Sequence, residues 1–453
     1  MPALDLTRPT RVHVIGAGGA GMSAIAAVLA AMGHHVTGSD LKASPGLDRL
    51  RTLGIDVVVG HRAGNVGPVD AVAVSTAIPP TNPEVVEARR RGLPVLSRAE
   101  ILATICAIRR TVAVAGTHGK TTTASMLALV LREAGWRPSF IIGGEVNEIG
   151  SGAAWDEGEW LVVEADESDG TFLELRPEAA VVTSVEPDHL DHYGSVEALE
   201  AAFERFVADA PGPCVLSADD PVAAAIAGRL GATTFGTSAG AHYRMTGLVG
   251  ARAGTSFFVE HGGGTPCRIE LPVPGAHNAS NACAALATGH LLGVDMAVSA
   301  RALARFGGVA RRFQFRGERG GVTFVDDYAH LPGEVRAALA AASDGGWHRV
   351  VVVFQPHRYS RTAALWADFA HAFDQADVVV VTDVYPAGER PRPGVSGRLV
   401  ARAVMEADPG RRVDYVPTRP ELVAHVRGLL VSGDLCLTLG AGDLTSLPDE
   451  LLA

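Results

Sequence analysis

The chain has 453 residues, 47% of them hydrophobic, and 50 acidic side chains against 39 basic ones give a formal net charge of −11. At about 100–200 residues per domain, that length predicts two to four domains, each large enough to close its own core. The acidic balance, with a pI near 5.8, excludes a nucleic-acid binder and a protein docked on anionic lipid, since both need a basic face.

High aliphatic content without polar low-complexity tracts excludes a disordered chain. The richest apolar stretch, Ala24 to Met32, is about half the ~20 residues that a membrane-spanning helix requires. Met1 to Thr10 carries Asp5 and Arg8 and no apolar segment, so no secretory signal is expected. The five cysteines (Cys106, Cys214, Cys267, Cys283 and Cys436) are scattered and include no C-x-x-C pair. They read as reduced thiols, with neither a disulfide framework nor a zinc site. The expected setting is cytoplasmic, without membrane insertion or nucleic acid. Only two residues are lysine, Lys42 and Lys120, which makes each of them conspicuous.

In chain order, short β-branched runs alternate with Ala-rich helical stretches, the pattern of α/β domains with parallel sheets. Val12–Ile15, Val57–Gly60 and Ala71–Ser75 read as strands, with helices over Met22–Met32 and Glu84–Arg91. A second unit opens with the strand Thr111–Ala115 and continues through the buried strands Trp160–Glu164 and Ala180–Ser184. Between Gly236 and Pro274 the texture becomes Gly-rich and alternating, as in Thr255–Glu260, which predicts an antiparallel excursion. A third unit follows Gly307-Gly308, with strands Val322–Asp326, Val350–Phe354, Val378–Thr382 and Leu435–Leu439. Three domains are expected, over residues 1–108, 109–308 and 309–453.

The first strand runs into Gly16-Ala-Gly-Gly-Ala-Gly21. Gly16, Gly18 and Gly21 are spaced as a pyrophosphate-binding turn, in which the first glycine turns the chain and the second admits a phosphate close to the backbone. Asp40, after a second strand, stands where a ribose-binding acid would sit. Taken alone, this loop fits an NAD-dependent oxidoreductase as well as any other nucleotide diphosphate.

The next motif is Gly116-Thr-His-Gly119-Lys120-Thr121-Thr122, between a strand and a helix. Backbone N–H groups and the helix dipole can hold phosphates there, Lys120 adds a charge, and Thr121 offers a hydroxyl to Mg²⁺. Val114 occupies the first glycine position of the usual G-x-x-x-x-G-K-[ST] pattern. Two acidic runs, Glu164-Ala-Asp166-Glu167-Ser-Asp169 and Glu186-Pro-Asp188-His189-Leu-Asp191-His192, follow predicted strands. Strand C-termini converge on ligands in open α/β sheets, and oxygen donors with one imidazole suit Mg²⁺ or Mn²⁺ on ATP phosphates. The histidines lack H-E-x-x-H spacing, against a hydrolytic zinc site.

With these come His277-Asn278-Ala-Ser-Asn281, Ala310-Arg-Arg312-Phe and Asp326-Asp327-Tyr-Ala-His330. In this order, over nearly the whole chain, the motifs resemble the Mur ligase family of ATP-dependent amide-forming enzymes in peptidoglycan synthesis. Gly16-Ala-Gly-Gly-Ala-Gly-Met-Ser23, Phe354-Gln-Pro-His-Arg-Tyr-Ser-Arg361 and Asp383-Val-Tyr-Pro-Ala-Gly-Glu389 are most similar to the branch that adds L-alanine to UDP-N-acetylmuramate. The resemblance implies a Rossmann-like N-terminal domain, a central P-loop ATPase-type mixed sheet and a Rossmann-like C-terminal domain.

It also implies roles. Gly116, Thr117, His118, Gly119, Lys120, Thr121 and Thr122 would bind ATP together with Asn278, Asn281, Arg312 and Asp327. Thr121, Glu164 and His189 would ligate Mg²⁺ (or Mn²⁺). Gly16, Gly18, Gly19, Ala20, Gly21, Met22, Ser39, Asp40, His61 and Ser75 would bind the UDP moiety. Tyr328, His330, His357, Arg358 and Arg361 would bind L-alanine and the muramoyl carboxylate. Catalysis would fall to Lys120, Glu164, His189, Asn278, Asn281, Arg312 and Asp327, in a monomer or weak homodimer. The nearest alternative within the family is the branch that recycles a tripeptide.

Two departures from the family pattern stand out. Some relatives bridge their metals with a carbamylated lysine in the central domain, and this chain has no lysine there beyond Lys120; Glu167 or Glu204 is the candidate substitute. Leu331 replaces a histidine that often follows His330, so position 331 is expected to carry no polar role.

Overall fold

The strand Arg11–Ile15 carries Val12, Val14 and Ile15 fully buried, with only Arg11 exposed, as expected of a central parallel strand covered on both faces. In this computed structural model it is the middle of a five-stranded parallel sheet, in the order Asp56–Val59, His35–Asp40, Arg11–Ile15, Ala71–Val74, Val95–Ser97. The structure describes residues 4–147, 149–252, 254–343 and 345–453, apart from the side chains of Val146 and Asp191. Residues 1–3 of the amino-terminal stretch and the Asp191 side chain of the second acidic run lie outside the described residues. The helix Ala20–Ala31 follows the glycine turn, and Arg98–Cys106 starts on a reciprocal cap between Ser97 and Glu100.

The chain divides into two compact units. One comprises residues 1–246, 258–269 and 280–305, and the other residues 247–257, 270–279 and 306–453. Besides the five-stranded sheet, the first unit holds a mixed sheet in which Arg110–Ala115 lies between Ala179–Val182 and Trp160–Glu164, parallel to both. Beyond these run Cys214–Ser217 and Thr233–Gly236 on one side, and Ser139–Val146 and Ser151–Ala154 on the other. The last two pair antiparallel, in a segment whose glycines (Gly143, Gly144, Gly150, Gly152) had concealed any strand signal. In the Gly-rich segment the strands Tyr243–Ala251, Gly254–Glu260 and Cys267–Leu271 form, and the first joins Thr233–Gly236 in parallel.

In the second unit, six strands run in the order Gln314–Arg319, Val322–Asp327, Leu435–Leu439, Val350–Phe354, Val378–Val381, Arg412–Tyr415. Only the first pairing is antiparallel. Strand ends differ from expectation where the chain leaves the ladder to serve the site. The strand expected over Ala180–Ser184 stops at Val182, because the Thr183 hydroxyl donates to Ala115 O at 3.2 Å and Ser184 Oγ accepts from His118 N. Among the described residues, no helix is long and apolar enough to cross a membrane.

Candidate active site

The phosphate-type loop lies where a buried strand meets a buried helix. Gly116 and Gly119 hold φ of 132° and 78°, conformations that glycine adopts without strain. A Cβ at Gly116 would collide with the Thr183 hydroxyl, and one at Gly119 with the Asn281 amide oxygen. The helix Lys120–Glu133 begins at Gly119 without a side-chain cap, so its first N–H groups and the positive end of its dipole are left to a ligand. Residues 183–186 brace the loop: Thr117 N donates to Ser184 O, Glu186 N donates to Thr117 Oγ1, and His118 Nε2 lies 3.3 Å from Glu186 Oε2. Asn281 Oδ1 accepts from Thr123 Oγ1 at 3.2 Å.

The first acidic run meets this loop atom by atom. Lys120 Nζ donates to Glu167 Oε1 at 2.8 Å and to the carbonyls of Gly116 and Thr117. Burial alone would lower the Lys120 ammonium pKa, but Glu167 outweighs it and raises it. Burial pushes the Glu167 carboxyl up. Thr121 Oγ1 donates to Glu164 Oε1 at 3.1 Å, and Glu164 Oε2 accepts from Gly143 N at 2.7 Å. Glu167 Oε2 is buried and has no hydrogen-bond partner among the described residues. A hydroxyl and carboxylate side by side, next to an unsatisfied carboxylate oxygen, are the hard oxygen donors that suit Mg²⁺. Glu204 has no place in this cluster, since it forms a forked pair with Arg229 at 3.0 and 2.9 Å. That corrects the sequence expectation for Glu204.

His189 caps a short helix with φ of 54°, and its Nε2 lies 3.2 Å from Asp188 Oδ2. Among the described residues, no three or more His, Cys, Asp or Glu side chains form a metal-holding group.

In the five-stranded sheet, Asp40 does not wait for a ribose with both oxygens free; Oδ2 accepts from Gly18 N at 2.9 Å and pins the glycine turn. Gly16 N and Ala17 N are taken by Ser39 O. The helix Ala20–Ala31 has no side-chain cap at Gly19, which leaves the amides of Ala20, Gly21 and Met22 as the donors for an anion. Beside Gly21 stands Arg98, close enough that a Cβ on the glycine would lie 3.3 Å from its Nη1. Arg98 pairs with Asp166 at 2.7 Å; burial raises the Asp166 carboxyl, but Arg98 outweighs it and holds it at about 2. Ser75 follows the strand Ala71–Val74, and its N donates to Ile15 O.

The Ser39 side chain departs from its expected role. It is fully buried, and its hydroxyl donates to Glu84 Oε2 at 2.5 Å rather than facing a ligand. Glu84, which sequence reasoning missed, also accepts from Arg62 N and Asn65 Nδ2, with His61 Nδ1 at 3.3 Å and His13 Nε2 at 3.5 Å. Burial pushes the Glu84 carboxyl up, yet His13, Ser39, Asn65 and Arg62 together hold it at about 2. His61 is thereby fixed through Nδ1, and its buried Nε2 has no hydrogen-bond partner among the described residues. An acid just after Asn82-Pro83 reads as a helix-start residue, so nothing in the sequence marked it.

The second unit gathers the other candidates. Asp327 accepts from Phe313 N and Ala329 N at 2.7 Å each, and burial raises its carboxyl to about 6 against the pull of Arg312. Arg311, Phe313 and Arg358 hold positive φ values, local strain of the kind retained at binding sites. Arg312 lies over the Tyr328 ring at 5.2 Å. His330 meets the edges of Tyr328 and His357 at 5.4 and 5.5 Å, and His357 stacks on Tyr385. No acid pairs with Arg312, Arg358 or Arg361 in a salt bridge among the described residues. Asn278 donates from Nδ2 to Pro274 O at 2.7 Å. Leu331 is 8% exposed and apolar, in keeping with no polar role.

Three family models match the chain: Mur ligase family, catalytic domain, over residues 11–110; Mur ligase middle domain over 114–289; and Mur ligase, glutamate ligase domain, over 311–442. The chain is 49% identical to the UDP-N-acetylmuramate–L-alanine ligase of Rubrobacter xylanophilus, over 98% of this chain and 99% of that one. It is 47% identical to the enzyme of that name from Pelotomaculum thermopropionicum, over 99% and 98%. Among solved structures, a UDP-N-acetylmuramate-alanine ligase from Thermotoga maritima superposes with a TM-score of 0.83 at 31% identity, covering 98% of both chains. A murein peptide ligase from Psychrobacter arcticus shares the fold, with a TM-score of 0.72 at 23% identity and 98% of both chains covered.

Proposed function

The chain belongs to the Mur ligase family, and on that premise we propose that it joins L-alanine to UDP-N-acetylmuramate with consumption of ATP, a step of peptidoglycan precursor synthesis. The observation that carries the choice of amino acid is near full-length identity to relatives bearing that activity in their names. The muramoyl carboxylate attacks the γ-phosphate in line, giving an acyl phosphate and ADP. The amine then adds to the acyl carbon, and the tetrahedral adduct collapses to amide and phosphate.

Phosphoryl transfer needs positioning and charge neutralisation more than covalent chemistry. In this reading Lys120 and the open helix start at Gly119 hold the β- and γ-phosphates, with Asn278 and Asn281 at the adenine. Arg312 reaches the nucleotide phosphates and Asp327 its ribose. Thr121, Glu164 and His189 would hold Mg²⁺, which when bound would supply charge neutralisation for the transferred group. The amides of residues 20–22 and His61 take the UDP part. Arg358 and Arg361, which form no salt bridge among the described residues, supply rigid forks for the amino-acid carboxylate. We assign these tasks to three domains with sequence boundaries near residues 108/109 and 308/309.

Phosphate release from ATP and Mg²⁺ with UDP-N-acetylmuramate tests this, with L-alanine, glycine, L-serine, D-glutamate and L-Ala-D-Glu-diaminopimelate compared. Fastest release with L-alanine is the expected result. Preference for the tripeptide would move the protein to recycling, and turnover that follows NADH absorbance instead would overturn the ligase reading.

A further inference from the structure

We propose that His330 is the general base that takes a proton from the attacking amine, held for that task by Glu334 as a positioning residue. The proposal rests on the ligase reading above. An amino acid at neutral pH presents an ammonium, which has no lone pair and cannot add to an acyl phosphate, so some group near the amine must accept a proton.

His330 Nδ1 lies 3.1 Å from Tyr328 O and 3.2 Å from Glu334 Oε2. Both neighbours are acceptors, which places the ring proton on Nδ1 and leaves the lone pair on Nε2. Glu334 Oε2 is itself fixed, since it accepts from His330 N at 2.9 Å and Leu331 N at 3.1 Å. It sits in the first turn of the helix Pro332–Ser343, where the helix dipole favours a carboxylate. The ring is held edge-on between Tyr328 and His357, so Nε2 has a set direction.

The neighbouring imidazole is unsuited to the task. Burial first, then His330, Arg361 and Arg358, lower His357 to about 3, too weakly basic to draw a proton at neutral pH. Among the described residues, the charged and titratable groups around His330 include Glu334, His357 and Tyr328, with Arg311 and Arg312 over the Tyr328 ring, Asp327 within electrostatic reach of Glu334, and Arg358, Arg361 and Glu389 around His357. An α-amine is one carbon from its carboxylate, so an amino acid held by those arginines brings its nitrogen to this cluster.

In the step, one N–H bond of the ammonium breaks, its electron pair stays on nitrogen, and the proton passes to His330 Nε2. The nitrogen pair then forms the N–C bond as the carbonyl π pair moves onto oxygen, and that pair re-forms the C=O when the adduct collapses. The C–O bond to phosphate breaks with its pair leaving on phosphate, and the adduct's second proton leaves with phosphate or to water.

The test compares the wild type, His330→Asn and Glu334→Gln at saturating L-alanine, from about pH 6.5 to about 9.5. Hydroxylamine, largely uncharged at neutral pH and needing no base, is the competing nucleophile for the same acyl phosphate. In His330→Asn, amide formation falls about 10²–10⁴-fold relative to hydroxamate formation near neutrality. The deficit shrinks about tenfold per pH unit as free amine accumulates. Glu334→Gln retains the cap but loses the carboxylate that holds the Nδ1 proton, so amide formation falls relative to hydroxamate formation in the same direction as in His330→Asn. A deficit that is independent of pH, or confined to KM for L-alanine, overturns the proposal. Absence of hydroxamate from the wild type with ATP and UDP-N-acetylmuramate would instead overturn the ligase reading.

Discussion

Lys120→Met removes at least about 10³-fold of the phosphate-releasing turnover, the scale on which charge stabilisation of a transferring phosphoryl group operates. The same change has a second effect on the folded protein. Lys120 and Glu167 are 15% and 3% exposed and 2.8 Å apart. Breaking a buried pair by removing one partner costs about 3–5 kcal/mol, because the surviving charge is left uncompensated. The two effects separate in Lys120→Met/Glu167→Gln, where the neutral amide no longer needs a cation. Thermal unfolding should recover in the double variant while turnover stays lost. Recovered turnover would show that Lys120 matters only for folding.

The second large effect is on acid stability. Glu84 is held at about 2 in the folded protein against an ordinary 4.5. A depressed carboxyl contributes stability that is fully present above the unfolded value and is lost as pH falls through the folded one. The difference corresponds to about 3 kcal/mol, present at neutral pH and lost between about pH 4.5 and 2. Glu84→Gln keeps the size of the side chain but loses the anion shared among Ser39, Asn65, the Arg62 amide and the two histidines. Urea unfolding across that acid range should show a shallower fall in the variant than in the wild type. Equal slopes would mean that another carboxylate governs the acid limb. Because Glu84 also fixes His61, the variant should need more UDP-N-acetylmuramate for half-maximal rate.

The reach of the sequence follows from which constraints are local. Gly116, Gly119 and Lys120 were legible because a tight turn, a helix start and a cation must lie within a few residues of one another. The strands Trp160–Glu164, Val350–Phe354 and Leu435–Leu439 were legible because full burial writes a continuous apolar run. Partners distant in the chain left no such mark. Nothing local distinguishes Glu167, which reaches Lys120, from Glu204, which reaches Arg229 on the surface. Arg98 finds Asp166 across 68 residues, and Glu84 collects its donors from three separate segments. Ser39 shows the same limit: the family resemblance implies a ligand contact there, whereas its hydroxyl is buried and turned inward to Glu84, 45 residues away.

The central claim is that the muramoyl carboxylate is activated as an acyl phosphate at the Gly116–Thr122 loop. Isotope transfer tests it most directly, using UDP-N-acetylmuramate labelled with ¹⁸O in both carboxylate oxygens, together with ATP, Mg²⁺ and L-alanine. In-line attack on the γ-phosphate predicts one labelled oxygen in each phosphate released and one retained in the amide. Unlabelled phosphate, with amide formed, would contradict it.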